Sequence, residues 1–399
     1  MRGAEQPFGI GRATVLVDLY PLFSPSAFQG IGRYLRALLQ AFQRLAAAQA
    51  FPFSLAGLDT RTPQWQVIPL QDLQDLLNRP PELLCDTPNT WEHRFAWRQL
   101  KQLGCHCLHQ AEPLQVPITG PIPLVLTYHD LIRLELPRLY SQKAPRLRQA
   151  LNWLITRSRL FLATHVITDS QYIARKLTSL FGFPEEKITV AYLGVDLQRY
   201  CPEPLAEEKE ILRRQLRLEE RYWLFVGTGD PRKNLEFLLK AVAKAQSSAP
   251  VVLAGRIHPR QEPLVRKAIA TSGLGNQVRR LGFVDEAHLP SLYRGSLGLL
   301  FPSLSEGFGL PVLEAMACGK PVLAFNCTAL PEVAGDGAWL LPPGNLEAFA
   351  EAIRTLEQSA EKRQELGQKG LARAQRFTWE TTAQIVGKVY SRLLRAPKS

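Results

Sequence analysis

Two glutamates, Glu306 and Glu314, stand eight positions apart within Phe301–Asn326. Glu306 sits in a loop carrying Gly307 and Gly309, and Glu314 sits one turn into a helix that Pro311 opens. Glycines just ahead of a helix start leave backbone N–H groups free to meet an anion, and the helix dipole adds to the attraction. A phosphate therefore belongs at Phe308, Gly309 and Leu310. A carboxylate beside phosphate is repulsive, so Glu306 makes sense as an acceptor for sugar hydroxyls and Glu314 as an acceptor for a ribose. Taken singly, Glu306 would read as a solvated loop residue and Glu314 as a stabiliser of the helix N-terminus. Paired across this loop, they read as ligand contacts.

A second constellation is Gly227-Thr-Gly-Asp-Pro-Arg-Lys-Asn-Leu. A strand ends at Val226, and Arg232 and Lys233 follow before a helix opens near Asn234. Two cations at the mouth of a parallel sheet can neutralise a departing diphosphate. The sequence has no Asp-x-Asp, the usual carboxylate pair for a metal-bound diphosphate. No metal and no other cofactor is expected, with Arg232 and Lys233 taking the metal's place.

Three further motifs are weaker. Gln29-Gly-Ile-Gly-Arg-Tyr places Gly30 and Gly32 between a strand and a helix, but Leu35 stands where a dinucleotide fingerprint needs its third glycine. His129 and Asp130 follow a strand, where a histidine can make a polar ligand contact. Cys105-His-Cys-x-His has metal-ligand types but no second pair nearby, and reads as coincidence.

The elements that would hold these residues alternate. Ala13–Leu19, Leu124–Tyr128, Thr164–Thr168 and Ile188–Tyr192 read as buried strands, with a helix over Ile31–Ala47. The pattern breaks at Leu193–Pro204, and a charged helix is predicted over Ala206–Arg217. A second series follows: strands over Tyr222–Val226, Val251–Ala254, Val278–Leu281, Leu297–Phe301 and Val322–Phe325, and helices over Leu235–Ala245, Leu289–Tyr293 and Pro311–Cys318. Two helices are expected to complete the chain. This is an α/β pattern of two facing, Rossmann-like doubly wound domains with ligands in the cleft between them. The expected boundaries are 1–197 for the acceptor-side domain and 198–377 for the donor-binding domain. The remaining 378–399 form a C-terminal helix that could return to the first domain.

Length supports two cores: 399 residues exceed what one usually serves. Six scattered cysteines form no disulfide framework and suit a reducing cytoplasm. Met1–Gly11 lacks a signal-peptide core, and no apolar run is long enough to span a membrane. The net charge of +12 suits an anionic partner, whether nucleic acid, acidic membrane or phosphorylated substrate. Lys143–Thr164 contains no acid; Leu147, Leu151, Leu154, Ile155 and Leu162 form one stripe, flanked by Arg146 and Arg157 on one side and Arg148 and Arg159 on the other. The stripe reads first as a core face with a basic rim, and second as a surface that rests on anionic lipid.

Glu306 and Glu314 match the E-x7-E pattern of the retaining family-4 glycosyltransferases of the GT-B fold, and Ser305-Glu-Gly-Phe-Gly-Leu-Pro-Val-Leu-Glu-Ala-Met-Ala-Cys-Gly-Lys-Pro-Val resembles that family almost residue for residue. The resemblance runs from about Gly30 to the C-terminus and is weakest over Phe51–Pro121. It implies that Glu306 contacts the donor sugar, Glu314 the ribose, and Arg232 and Lys233 the donor phosphates. It also implies that the Gly30–Gly32 loop approaches the donor phosphates and the acceptor, although Gln29 departs from the family's glycine. By the same resemblance His129 touches the donor sugar, Asp130 serves the acceptor side or the fold, the backbone at Val284 meets the base, and Leu330-Pro-Glu-Val is another donor-side helix start. The family retains anomeric configuration, usually explained by same-face attack. The motif combination looks most like bacterial mannosyltransferases, implying GDP-mannose as donor and a glycan or polyprenyl-linked acceptor. The enzyme would be cytoplasmic, or peripheral on the inner face of the plasma membrane, with no nucleic-acid partner. Two other classes remain as alternatives at this point: an NAD-dependent Rossmann oxidoreductase and a basic nucleic-acid-binding protein.

Overall fold

The structure, a computed structural model, describes residues 12–28, 30–48, 51–61, 65–78, 97–112, 122–140, 145–203, 208–210, 212, 214, 216–218, 221–227 and 229–395. The chain divides into two compact units. One consists of Met1–Leu131, Arg146–Gly194 and Trp379–Ser399, and the other of Ile132–Pro145 and Val195–Thr378.

Among the described residues the first unit is built on a seven-stranded sheet. Its strands are β1 (Thr14–Asp18), β2 (Ser54–Asp59), β3 (Gln66–Pro69), β4 (Cys105–Gln110), β5 (Leu124–Tyr128), β6 (His165–Thr168) and β7 (Ile188–Val190), in the order β3-β2-β1-β4-β5-β6-β7. All neighbours are parallel except β2 and β3. The central strands are buried throughout, which is why Thr-Val-Leu-Val-Asp and Leu-Val-Leu-Thr-Tyr read as continuous apolar runs instead of alternating ones. The helix Gly30–Ala48 buries Tyr34, Leu35, Leu38, Leu39 and Phe42 at helical spacing. The helix Gln171–Phe181 shows both end signals: Ser170 Oγ accepts from the Ile173 N–H, and Gly182 closes it in the left-handed conformation.

The second unit carries a six-stranded, all-parallel sheet in the order β10-β9-β8-β11-β12-β13. Its strands are β8 (Tyr222–Val226), β9 (Val251–Ala254), β10 (Val278–Gly282), β11 (Ser296–Phe301), β12 (Val322–Phe325) and β13 (Trp339–Leu341). Trp223, Phe225, Leu238, Leu300, Phe325 and Phe349 belong to one buried core, and Phe237, Phe325 and Phe349 meet edge to face.

Several expectations need correction. Strands β2, β3 and β4 fall where the sequence offered no strand. The chain does not end in two helices: after β12 come Leu330–Ala334, β13, Leu346–Gln358, Ala360–Ala374 and Trp379–Arg395. Of the charged helix expected over Ala206–Arg217, the described part is helical at Glu208–Glu210, and much of the remainder lies outside the described residues. The apolar stripe of the basic helix is not a core face. On the helix Pro145–Leu162, Leu147, Leu151, Leu154 and Ile155 are exposed, and Phe161 is 89% exposed. Among the described residues no helix is long and apolar enough to cross a membrane.

Candidate active site

In the second unit, β8 and β11 lie side by side, so the loops leaving their carboxyl ends meet. After β8, Pro231–Lys233 forms one 3₁₀ turn, capped by Asp230, whose carboxylate accepts from the Arg232 N–H at 3.0 Å. The turn aims both cations at the loop after β11. Leu304 N–H donates to the Arg232 carbonyl (2.8 Å), and Arg232 Nη1 donates to the Ser305 carbonyl (3.0 Å).

Glu306 is where these loops converge. Its Oε1 lies 2.6 Å from Lys233 Nζ and 2.7 Å from Arg232 Nη1, and it accepts from Ser303 Oγ at 2.6 Å. Oε2 receives none of these donors. Backbone placement is fixed as well, since the Glu306 N–H donates to Thr328 Oγ1 at 3.1 Å. Glu306 is 6% exposed, so it is not a solvated loop residue. Burial alone would raise its pKa, but Arg232 and Lys233 overcome that and hold it at about 2. Burial and the neighbouring Arg232 push Lys233 the other way, down to about 8, with Glu306 restraining the fall. Lys233 Nζ also lies 4.6 Å from the centre of the Phe301 ring.

The loop expected to cradle a phosphate follows directly. Gly309 has φ of +108°, a backbone conformation that favours glycine, and a Cβ there would press on Leu330 Cδ2 at 2.7 Å. The helix Leu310–Ala317 starts immediately after it, and Phe308 is buried edge-on against Phe377. Glu314 is buried as well, with Oε2 accepting from Tyr293 OH at 2.7 Å. Its carboxylate is engaged inside the unit and does not cap its own helix. Val284 is buried two residues beyond the end of β10. The segment Ile132–Pro145 adds two contacts to this unit: Ser305 Oγ donates to Glu135 Oε2 (2.7 Å), and Tyr140 OH donates to Asp230 Oδ1 (2.7 Å).

The first unit has its own polar cluster where β5 and β6 end. His129 Nδ1 lies 2.7 Å from Asp169 Oδ2, and the Tyr34 ring meets the imidazole edge-on at 4.7 Å. Burial favours the neutral ring, yet Asp169 and Asp130 outweigh it and leave the His129 pKa above its ordinary value. His129 Nε2 is buried with no hydrogen-bond partner among the described residues, which suits a ligand contact. Asp130 is exposed. Gly30 opens the first helix, and Gly32 lies against the preceding turn, where a Cβ would come 2.5 Å from Ala27 Cα. Gln29 lies outside the described residues. The Cys105–His109 pattern belongs to β4: His109 bridges Tyr390 OH (2.5 Å) and Thr127 Oγ1 (2.7 Å), and His106 Nδ1 accepts from Thr14 N–H. Among the described residues no group of three His, Cys, Asp or Glu side chains could hold a metal ion.

The sequence reading missed Asp169, Ser303, Thr328, Tyr293, Glu135 and Tyr140. Asp169 follows a strand as His129 does, and that shared position was the available signal.

Comparison with known proteins bears on the whole chain. The family model described as "Glycosyl transferases group 1" matches residues 207–373, and "Glycosyltransferase Family 4" matches residues 28–199. O-antigen chain mannosyltransferase B of Escherichia coli is 30% identical over 268 residues, which is 66% of this chain and 68% of that protein. The serotype-specific mannosyltransferase WbdA of Escherichia coli is 29% identical over 241 residues, covering 59% of this chain but 30% of WbdA's own length. Among solved structures, Anabaena HepE in complex with UDP-glucose aligns with a TM-score of 0.71 at 20% identity, over 95% of this chain and 99% of that one. Its likeness is one of fold, two parallel α/β domains of the GT-B kind. Matched at 30% identity over 68% of a known family member, the chain belongs to the group 1 glycosyltransferases.

Proposed function

We propose that this glycosyltransferase moves mannose from GDP-mannose to a glycan or polyprenyl-linked acceptor, with retention at the anomeric carbon and without a metal ion. The two relatives named as mannosyltransferases support the sugar. The HepE complex makes a UDP-sugar the competing donor. The observation that carries the reading is the division of labour on Glu306: among the described residues one oxygen is fixed by three donors, which leaves the other to accept from a sugar hydroxyl.

On this reading the Gly309–Leu310 helix start, Arg232 and Lys233 meet the charge that builds on the departing diphosphate. Cations and backbone dipoles share the task because Glu306 and Asp230 already offset Arg232 and Lys233. Glu306 orients the sugar and forms no bond to it. The bond from the anomeric carbon to phosphate breaks as the acceptor oxygen attacks the same face, and a diphosphate oxygen takes the acceptor's proton. His129 reaches the sugar through Nε2, with Asp169 orienting the ring, and Asp130 serves the acceptor side. Gly30 and Gly32 border the phosphates, Glu314 the ribose, and Val284 the base.

The exposed stripe of the helix Pro145–Leu162 supports a peripheral membrane position. Leu147, Leu151, Leu154 and Phe161 offer apolar area, while Arg146, Arg148 and Arg157 suit anionic headgroups. A lipid-linked acceptor would be presented at such a surface.

A thermal-shift screen of nucleotide sugars tests the donor, since a ligand bound only by the folded state raises Tm, and raises it more the further its concentration exceeds its Kd. GDP-mannose is expected to stabilise most; a larger shift with UDP-glucose would reassign the donor. Proton NMR of the first-formed product then reads its anomeric configuration, and inversion would overturn the same-face mechanism.

A further inference from the structure

Parallel strands give a sheet two different ends, and the second unit uses one for Arg232 and Glu306. At the other end, where β8, β11 and β12 begin, there is a cavity of about 460 Å³. Arg221 precedes β8, Arg294 and Gly295 precede β11, Lys320 precedes β12, and Arg363 comes from the helix Ala360–Ala374. Among the described residues, four cationic side chains therefore line it against one carboxylate, Glu208.

That carboxylate is already engaged. Both of its oxygens accept from Arg294 Nε, at 2.8 and 2.9 Å. Arg294 Nη1 donates to the carbonyls of Cys201 (3.0 Å) and Arg199 (3.4 Å), but Nη2, buried in a residue 8% exposed, has no partner among the described residues. An unmet N–H on a buried guanidinium is costly, typically about 1–3 kcal/mol, and native proteins rarely leave one without a reason. Arg363 shows the same surplus of positive charge: partial burial and the field of Arg221 hold its pKa below the ordinary arginine value. The volume lies in the range that encloses a small organic molecule and exceeds the needs of one bare ion.

We propose that this cavity is a second anion site, separate from the donor diphosphate site, that binds a phosphate-bearing small molecule with a phosphate oxygen on Arg294 Nη2 and its charge met by Arg221, Lys320 and Arg363. The proposal does not depend on the donor or the acceptor. It requires only that the second unit fold as described.

The test uses the full chain and two probes, inorganic phosphate and a hexose 1-phosphate, read by calorimetry and thermal shift. Both probes can also reach the donor site, so two variants separate the sites. Arg221→Gly with Arg363→Gln removes two cations from the cavity rim; Arg221 has φ of +76°, which glycine adopts without strain. Arg232→Ala disables the donor side. Binding is expected to persist in Arg232→Ala and to weaken at least roughly tenfold in the double variant, as loss of two charge-assisted contacts implies. A tighter hexose 1-phosphate assigns the ligand to sugar phosphates, and a tighter inorganic phosphate assigns it to phosphate itself. Loss of binding in Arg232→Ala with retention in the double variant overturns the proposal, as does the absence of any phosphate response in the parent protein. Lys320→Gln supplies a second cavity variant if the double variant melts early.

Discussion

Lys233 and Glu306, 73 positions apart in sequence, meet at 2.6 Å inside the second unit, and each sets the charge state the other can hold. Arg232 and the lysine together keep the glutamate ionised; the glutamate, shared with Arg232, slows but does not stop the lysine's drift toward neutrality. A buried pair of this kind is costly to break one-sidedly, typically about 3–5 kcal/mol, because the survivor keeps its desolvation penalty.

Glu306→Gln keeps the side chain's shape and an acceptor oxygen but removes its charge. Transfer from the true donor is expected to fall at least roughly 100-fold, the scale of losing a preorganised electrostatic contact. The melting temperature should fall by a few degrees only, since Lys233 can shed its proton when the carboxylate is gone. Steady-state kinetics and calorimetry check both halves, and parent-level turnover would remove Glu306 from the site.

Because the Lys233 pKa stands near 8, its ammonium discharges as pH rises through that value, while Glu306, held near 2, stays ionised throughout. Donor affinity should therefore decline as pH rises above 8. Stability has the opposite sign: between the folded value near 8 and the unfolded value near 10.5, the unfolded chain holds the extra proton, so this group makes folding more favourable as pH rises. In Lys233→Met the affinity should be low at every pH and lose its decline above 8. A titration of donor affinity against pH in both proteins decides it.

His109 bridges Thr127 and Tyr390, tying the end of β4 to the helix Trp379–Arg395, and burial lowers its pKa to about 3. Its unfolded value is 6.5, so the stability it confers is complete above pH 6.5 and is lost as pH falls toward 3, at up to roughly 1.4 kcal/mol per pH unit. His165, lowered to about 4, acts in the same direction. Asp18, raised by burial to about 6, acts oppositely, adding stability as pH falls from 6 to 4. The His109 share is isolated by comparison with His109→Gln: urea midpoints of the two proteins should converge between pH 6 and 4.

Gly30 and Gly32 differ in what surrounds them. A Cβ on Gly30 meets nothing within 4 Å, whereas one on Gly32 would overlap Ala27 and the Ser26 carbonyl at 2.5–2.6 Å. Gly30→Ala is expected to leave the melting temperature unchanged; Gly32→Ala should cost roughly 1–3 kcal/mol, as overpacking does. Equal effects in the two variants would show that the turn yields freely.

The exposed face of the helix Pro145–Leu162 predicts binding to anionic vesicles that weakens with salt. Leu147→Glu with Phe161→Glu should reduce cosedimentation several-fold and leave transfer to a short water-soluble acceptor intact. Equal binding to neutral and anionic vesicles would sink the electrostatic part.

The strands most legible in the sequence are those buried on both faces, such as Leu124–Tyr128 and Tyr222–Val226, because continuous apolar runs ended by glycine or proline announce themselves. Cys105–Gln110 did not: its histidines and cysteines hid a strand whose polar groups are satisfied only once Thr127 and Tyr390 arrive from elsewhere in the chain. The site divides in the same way. Glu306, Arg232 and the glycine loop were visible as local chemistry. Their convergence on one carboxylate oxygen, and the pairing of His129 with Asp169, depend on β8 lying beside β11 and β5 beside β6, and sheet order is not written in any one segment. The exposed stripe was misread because an amphipathic period tells which residues share a face, not whether that face is covered.

Ile132–Pro145 lies between two stretches of the first unit, yet its contacts through Glu135 and Tyr140 place it in the second. The two halves are thus not interchangeable cassettes. A chimera that imports 195–378 from a relative would carry Ser305 and Asp230 while leaving their partners behind in the host sequence. Grafting donor specificity between members of this family therefore calls for two non-contiguous exchanges, with the short one chosen to match the long.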